Sequence, residues 1–261
     1  MKATGEASAV GWHHRLTLWL RPRGLLVATQ VALSLILLPG AALLIESLAG
    51  LSRVQPGFEP RNLLSMEITL PQPRHRELVR RVESIPGVEA AAITLTLPMT
   101  GYAGTPVQAA GQPRLKLNER PIAILQTVTP GYLRTLDIPM RGGRDFALSD
   151  TATTPLVAIV NESLARRFWP GQDPVGRHIL IGSNPSPVLV TAVVADIRQA
   201  GLAEDAVPGV YRPRTQTPEM PAMFAVRTGA DPLRLVKAIR HELATIDANQ
   251  AIQSASRPRP R

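Results

Sequence analysis

The chain contains no cysteine, which removes disulfide scaffolds, cysteine-ligated zinc, iron–sulfur clusters and thiol nucleophiles together. Its five histidines are scattered and leave little material for metal chemistry. Aromatic residues make up only 4%, and 26 of the 29 Lys+Arg residues are arginine. Basic clusters interleaved with aromatic rings, the mark of a nucleic-acid surface, are missing. The net charge of +9 does not alter this, because the two ends carry most of it: residues 1–24 are +3, residues 251–261 add three arginines, and residues 53–250 are only +4. No nucleic-acid partner is expected. Hydrophobic residues at 44% against 19% charged exclude a wholly disordered chain, and 261 residues suffice for one or two domains.

What is present begins with Leu25 to Ile45, LLVATQVALSLILLPGAALLI, which carries no charge. At about 1.5 Å per residue such a helix spans roughly 30 Å, the thickness of a hydrocarbon core. Thr29, Gln30 and Ser34 interrupt it mildly, and Pro39-Gly40 predicts a kink that a partner helix would help to accommodate. Arg15, Arg21 and Arg23 lie before it and Glu46 and Arg53 after it, so the positive-inside rule places the N-terminus in the cytoplasm. Trp12 and Trp19 suit an interfacial belt. The rival reading is a cleaved signal peptide, with Ser47-Leu48-Ala49 before Gly50 as the cleavage site. A buried soluble helix is a third option. No later stretch has membrane-spanning length, so one pass is expected.

The expected fold class is α+β: one N-terminal transmembrane helix, then a mixed α/β core with two β-α-β units flanking a β-rich inserted subdomain. Leu63 to Leu70 has strand character, Arg74 to Ile85 places Leu78, Val82 and Ile85 on one helical face, and Val88 to Leu97 is a second strand. The echo near the end is Ala222 to Arg227, then a helix capped by Asp231 with Pro232 at its first position and with Leu235, Ile239, Leu243 and Ile246 at helical spacing. Ala251 to Gln253 is expected to begin the closing strand. Between them, 98–120 reads as a mobile loop, Ile122 to Val128 as a strand and Tyr132 to Leu136 as a short helix. Leu156 to Val160 feeds a helix at Glu162 to Phe168, and Arg177 to Ile181 pairs with Val188 to Ile197 across GSNPSP. The expected organisation is 1–24 basic N-terminus, 25–48 span, 49–61 connection, 62–253 core domain and 254–261 basic tail. Within the core, 62–97 and 213–253 form the β-α-β layer and 98–212 the β-rich subdomain.

No catalytic constellation emerges. His241-Glu242 opens a zinc-helix pattern, but Thr245 stands where the second ligand belongs. Gly142-Gly143-Arg144 is a weak phosphate nest, Glu204-Asp205 a solvated pair, and His75 and His178 have no partner that spacing identifies. Asn161-Glu162-Ser163 fits a glycosylation sequon but also a helix cap. Accordingly no catalytic, cofactor-binding or metal residue is assigned, and no cofactor is expected; Asp150, Asp196 and His178 are the positions at which a hydrolase reading would be tested.

The order of these segments resembles the N-terminal part of MacB/FtsX-type ABC transporter permeases, especially the stand-alone duplicated permeases with MacB-like periplasmic core domains, over roughly residues 22–250. The matching motifs are Val27 to Ser34 (VATQVALS), Pro56-Gly57-Phe58 after Val54, Pro86-Gly87-Val88, Leu97-Pro98 and Thr129 to Pro139 (TPGYLRTLDIP). They continue with Gly143-Arg144-Asp145-Phe146 and Asp150, Val157 to Glu162, Asp173 to Arg177 and Val210-Tyr211-Arg212-Pro213. Ala192 and Ala195 stand where the family has glycines, which would strain a close backbone approach there. Asp137 replaces another glycine and suits left-handed backbone better than most residues.

The resemblance implies a non-catalytic part of a transporter in the bacterial inner membrane, single pass, with the core domain periplasmic. Implied partners are the lipid bilayer, a cytoplasmic ABC ATPase supplied in trans, other permease helices or a homo-oligomer, and a periplasmic partner protein. Relatives continue into further membrane helices, whereas this sequence stops in SASRPRPR, so it reads as a truncated permease. Gln30, Ser34 and Pro39 are then expected to face protein. The alternative is a cleaved or single-pass periplasmic binding or scaffold module without a transport role.

Overall fold

A computed structural model describes residues 22–53, 56–183, 186–199, 206–247 and 255–256. The chain divides into two compact units, Met1–Val54 and Gln55–Arg261. In the first, α1 (Pro22–Arg53) is one helix of 32 residues, unbroken through Pro39. Gly24–Ser47 has a mean hydropathy of 2.0 and no buried residue, so it is long and apolar enough to cross a membrane. Thr29 Oγ1 donates to the Leu25 carbonyl and Ser34 Oγ to the Gln30 carbonyl, which satisfies both hydroxyls inside the helix. Trp12, Trp19, Arg15 and Arg21 lie outside the described residues.

The second unit begins with β1 (Leu63–Ile68), α2 (His75–Glu83), β2 (Val88–Thr94), β3 (Ala103–Ala109) and β4 (Ile122–Val128). It continues through α3 (Tyr132–Leu136), β5 (Met140–Gly143), β6 (Val157–Asn161), α4 (Glu162–Phe168), β7 (His178–Ile181) and β8 (Val188–Val194). It ends with β9 (Gly209–Pro213), β10 (Ala222–Thr228), α5 (Val236–Ile246) and β11 (Ala255–Ser256).

The two β-α-β units interleave. β10 lies between β1 and β2, antiparallel to both, and β1 lies between β10 and β11. The order β11-β1-β10-β2 is that of a split β-α-β, ferredoxin-like layer. Its helices cover one face, where Leu78 and Val82 of α2 and Ile239, Leu243 and Ile246 of α5 meet Leu64, Met66, Ile93, Phe224 and Val226. Asp231 accepts from the Leu233 amide at 3.1 Å ahead of α5, and Pro86-Gly87, with Gly87 at φ +92°, ends the α2 segment.

The inserted strands close on themselves. β4 pairs β3, β3 pairs β7, β7 pairs β8, β8 pairs β6, β6 pairs β9, and β9 returns to β4 in parallel. Val107, Ala123, Ala158, Val160, Ile179, Val190 and Val210, from all six strands, pack together with Leu164 and Trp169 around α4. β5 adds to β8 outside this ring. Among the described residues, the only strand pairing between ring and layer is Thr94 with Val128. A third apolar cluster fills the seam, joining Leu63, Ala92 and Ala225 of the layer to Tyr132, Leu136, Ile159, Ala192 and Tyr211 of the insertion.

One expectation is corrected. The loop expected over 98–120 contains β3, which pairs with both β4 and β7; Gly104 and Pro106 mask it in sequence, yet Thr105, Val107, Gln108 and Ala109 are buried. A closing strand is present at Ala255–Ser256, pairing with Met66 and Ser65; Ala251 to Gln253, where it is expected to begin, lie outside the described residues.

Candidate functional site

The segment that receives the chain from α1 is tied down residue by residue. The Pro56 carbonyl accepts from the Arg198 amide at 2.9 Å, and the Glu59 amide donates to the Leu136 carbonyl at 3.0 Å. Gly57 sits at φ +82°, and a Cβ there would lie 2.3 Å from the Asp196 carbonyl oxygen, so only glycine allows this approach. Phe58 is buried in the seam. Arg227 donates to the carbonyls of Glu59 at 2.7 Å, Arg61 at 3.3 Å and Thr135 at 2.7 Å. Asn62, left-handed at φ +54°, then turns the chain into β1. Residues 56–62 are thus a strap fixed to layer and insertion alike.

Asp196 lies beside the strap and organises the start of α4. Its carboxylate accepts from the Ser163 amide at 2.8 Å, Ser163 Oγ at 2.7 Å and Arg166 at 2.7 Å. Asn161 caps the same helix: its Oδ1 accepts from the amides of Leu164 and Gly209, and its Nδ2 donates to the Val207 carbonyl. The sequon asparagine is 2% exposed, so its position is a buried cap. Between α4 and β5 runs a groove of about 580 Å³ whose lining includes Arg141, Glu162, Arg166, Trp169 and Val193. Arg141 pairs with Glu162 at 3.2 Å across it, so its charges are largely satisfied by one another.

The remaining singled-out residues separate. Gly143 is no phosphate nest: at φ +87° its Cβ would fall 2.1 Å from the Thr191 carbonyl oxygen. Arg144 makes two hydrogen bonds with the Asp150 carboxylate, at 2.9 and 3.0 Å, and this guanidinium holds the Asp150 carboxyl below its ordinary value. Asp150 also accepts from the Ala147 amide, and its carbonyl from Thr215, so the Gly-Arg-Asp-Phe motif is a clamp on the loop before β6.

Glu242 and Thr245 both approach Arg81 of α2, while His241 is exposed. His178 is exposed at the start of β7. His75 is buried, donating Nε2–H to the Leu70 carbonyl at 2.7 Å while Nδ1 has no partner among the described residues; burial lowers its pKa to about 4. Asp137 takes left-handed backbone at the end of α3. The alanines at 192 and 195 are accommodated because the close approaches to this stretch come from glycines opposite, Gly143 and Gly57. Glu204-Asp205 lies outside the described residues. Asp150, Asp196 and His178 do not converge, and among the described residues no cluster of His, Asp and Glu could hold a metal ion. The strap and Arg227 are absent from any sequence expectation as a site: apart from Phe58 in the seam, the ties across them run through backbone carbonyls and amides, which leave no residue-type pattern to read.

The described residues thus comprise an apolar helix of membrane-spanning length and, after it, a layer-and-ring domain whose entry strap is tied to both lobes. The chain belongs to the family of the MacB-like periplasmic core domain, whose model matches residues 32–242. Among solved structures it is similar to the periplasmic region of MacB from Actinobacillus actinomycetemcomitans, at 12% identity and a TM-score of 0.51, covering 73% of this chain and 86% of that one. It is also similar to the extracellular domain of the noncanonic ABC-type transporter YknZ from Gram-positive bacteria, at 15% identity and a TM-score of 0.46, covering 70% and 91%. None of the curated proteins compared matches the chain significantly. The fold resemblance expected from the motifs is therefore met: mixed α/β, with one N-terminal apolar helix and a MacB-like core.

Proposed function

We propose that this chain is the membrane-anchored periplasmic part of an ABC-type permease and does no chemistry of its own. α1 crosses the bacterial inner membrane once, with the N-terminus cytoplasmic, and the domain over 62–253 lies in the periplasm. A cytoplasmic ABC ATPase supplied in trans drives it, other permease helices or a second copy pack against α1, and a periplasmic partner protein engages the domain in MacB-like efflux. Within the domain, 62–97 and 213–253 act as the layer near the strap and 98–212 as the inserted lobe.

The carrying observation is that the family match starts at residue 32, inside α1, and ends at 242, inside α5. The match therefore runs without a break from the middle of α1 into the last helix of the domain, which supports reading helix and domain as one unit. The test uses the absence of cysteine. Arg80→Cys and Arg167→Cys, both at exposed positions, should react with a membrane-impermeant maleimide in intact spheroplasts. Reaction only after lysis sinks the orientation. Intact mass should show an N-terminus at Met1; a mature chain starting at Gly50 sinks the anchor. Purification from mild detergent should bring down an ABC ATPase, and its consistent absence counts against the transporter reading.

A further inference from the structure

Only Val54 and Gln55 separate the end of α1 at Arg53 from the first tied strap residue, Pro56. We infer that the strap is a joint rather than a tether, and that Arg227 is the positioning residue that locks it. This rests on the permease reading, and it says where a displacement arriving along the chain enters the domain.

The local backbone is shaped for that lock. Arg227 pairs with Leu63 of β1 and Ala90 of β2, and the register slips between Arg227 and Thr228. A bulge of this kind re-aims a side chain. Here the guanidinium reaches carbonyls of the strap (Glu59 and Arg61) and of α3 (Thr135). Arginine can do this because its planar fork offers five donors; lysine carries a single ammonium on a flexible stem. Arg227 has no carboxylate among its hydrogen-bond partners in the described residues, so its charge is spent on those three carbonyls.

The second attachment is independent of the first. Gly57 lies against Asp196 and Ile197, and the Arg198 amide reaches Pro56. Arg227 thus binds the strap to the layer and α3, while Gly57 binds it to the segment that follows β8. Because α3 belongs to the inserted lobe, Arg227 ties the strap to layer and insertion at once, and Gly57 adds a separate tie to the insertion. Held by both ties, the strap delivers any displacement to both lobes.

The experiment measures amide exchange on the full chain in lipid nanodiscs, with no ATPase present. The Glu59 and Arg198 amides, which donate across the strap, should be protected in the unaltered protein. Arg227→Met should speed their exchange by about tenfold or more, while Val226 in the layer and Ile159 in the ring keep their protection. Arg227→Lys should resemble Arg227→Met. Gly57→Ala should produce the same selective loss from the other end. A nitroxide on Arg61→Cys should gain mobility in Arg227→Met, whereas one on Arg80→Cys should not.

Strap amides that exchange freely in the unaltered chain overturn the inference. So does protection that survives Arg227→Met, or a loss spread equally over strap, layer and ring, which would make Arg227 a general stabiliser. Failure to purify with an ATPase strikes the permease reading alone, and free strap exchange strikes the joint alone.

Discussion

The layer and the ring solve the same problem in opposite ways. The ring removes its edges by closing six strands through successive pairings, and its interior is filled largely by small and β-branched side chains from every strand. The layer remains an open sheet and relies on cover: α2 and α5 on one face and the seam on the other. Even the edge of β2 beyond its single pairing with β4 is dressed, with the Ala91 amide donating to Glu83 and the Ile93 amide to Thr129. A closed ring depends on backbone fit, so its weak points are positions where a side-chain atom would intrude. A covered sheet depends on apolar volume, so its weak points are large buried side chains.

Substitutions should separate the two. Gly143→Val places a β-branched residue at φ +87°, with its Cβ 2.1 Å from the Thr191 carbonyl. We expect a cost of about 4 kcal/mol or more, with exchange rising first in β6 and β8. Protection lost equally in β1 and β10 would erase the distinction. Phe224→Ala, at a fully buried site beneath the layer helices, should cost about 3–5 kcal/mol and loosen α2 and α5 before the ring. Thermal melts with lobe-resolved exchange read both.

Acid should also reach the layer first. The His75 pKa is lowered from 6.5 to about 4, so the folded state disfavours the proton that the unfolded state accepts. Stability is full above pH 6.5 and falls by about 3 kcal/mol as pH drops to about 4, below which this loss is complete. His75→Gln should flatten that portion of a stability-versus-pH curve; an unchanged slope removes His75 as its source. Asp150, in the inserted lobe, behaves differently. Its carboxyl is held below 3.8, so its contribution is present above that pH and fades only as pH falls further. Asp150→Asn should cost the least of the four, about 1–2 kcal/mol at neutral pH, and should not alter the slope between pH 4 and 6.5.

Much of this architecture is legible in the order of residues alone. α1 announces itself by uncharged length, β4, β6 and β8 by apolar runs, α2 and α5 by their period, and Asp137 by its tolerance of left-handed backbone. β3 is hidden because Gly104 and Pro106 punctuate it, although the ring needs its carbonyls: Pro106 accepts from Gly182. Interleaving of the β-α-β units is not legible, since apolar alternation identifies a strand without naming its neighbour. The strap is hidden for a further reason. The Pro-Gly-Phe sequence looks like a loose turn, and only the proximity of Asp196 turns its glycine into a point of attachment.

The position of β10 between β1 and β2 imposes an order on the birth of the molecule. A ribosome, or a translocon threading the chain outward, delivers β1 and β2 well before the strand that must separate them. Meanwhile the whole inserted ring can assemble, because its strands are contiguous in synthesis. The earliest strands of the domain must therefore wait with unpaired edges while the later ones finish, which is the condition under which chains of high contact order fold slowly and invite chaperones.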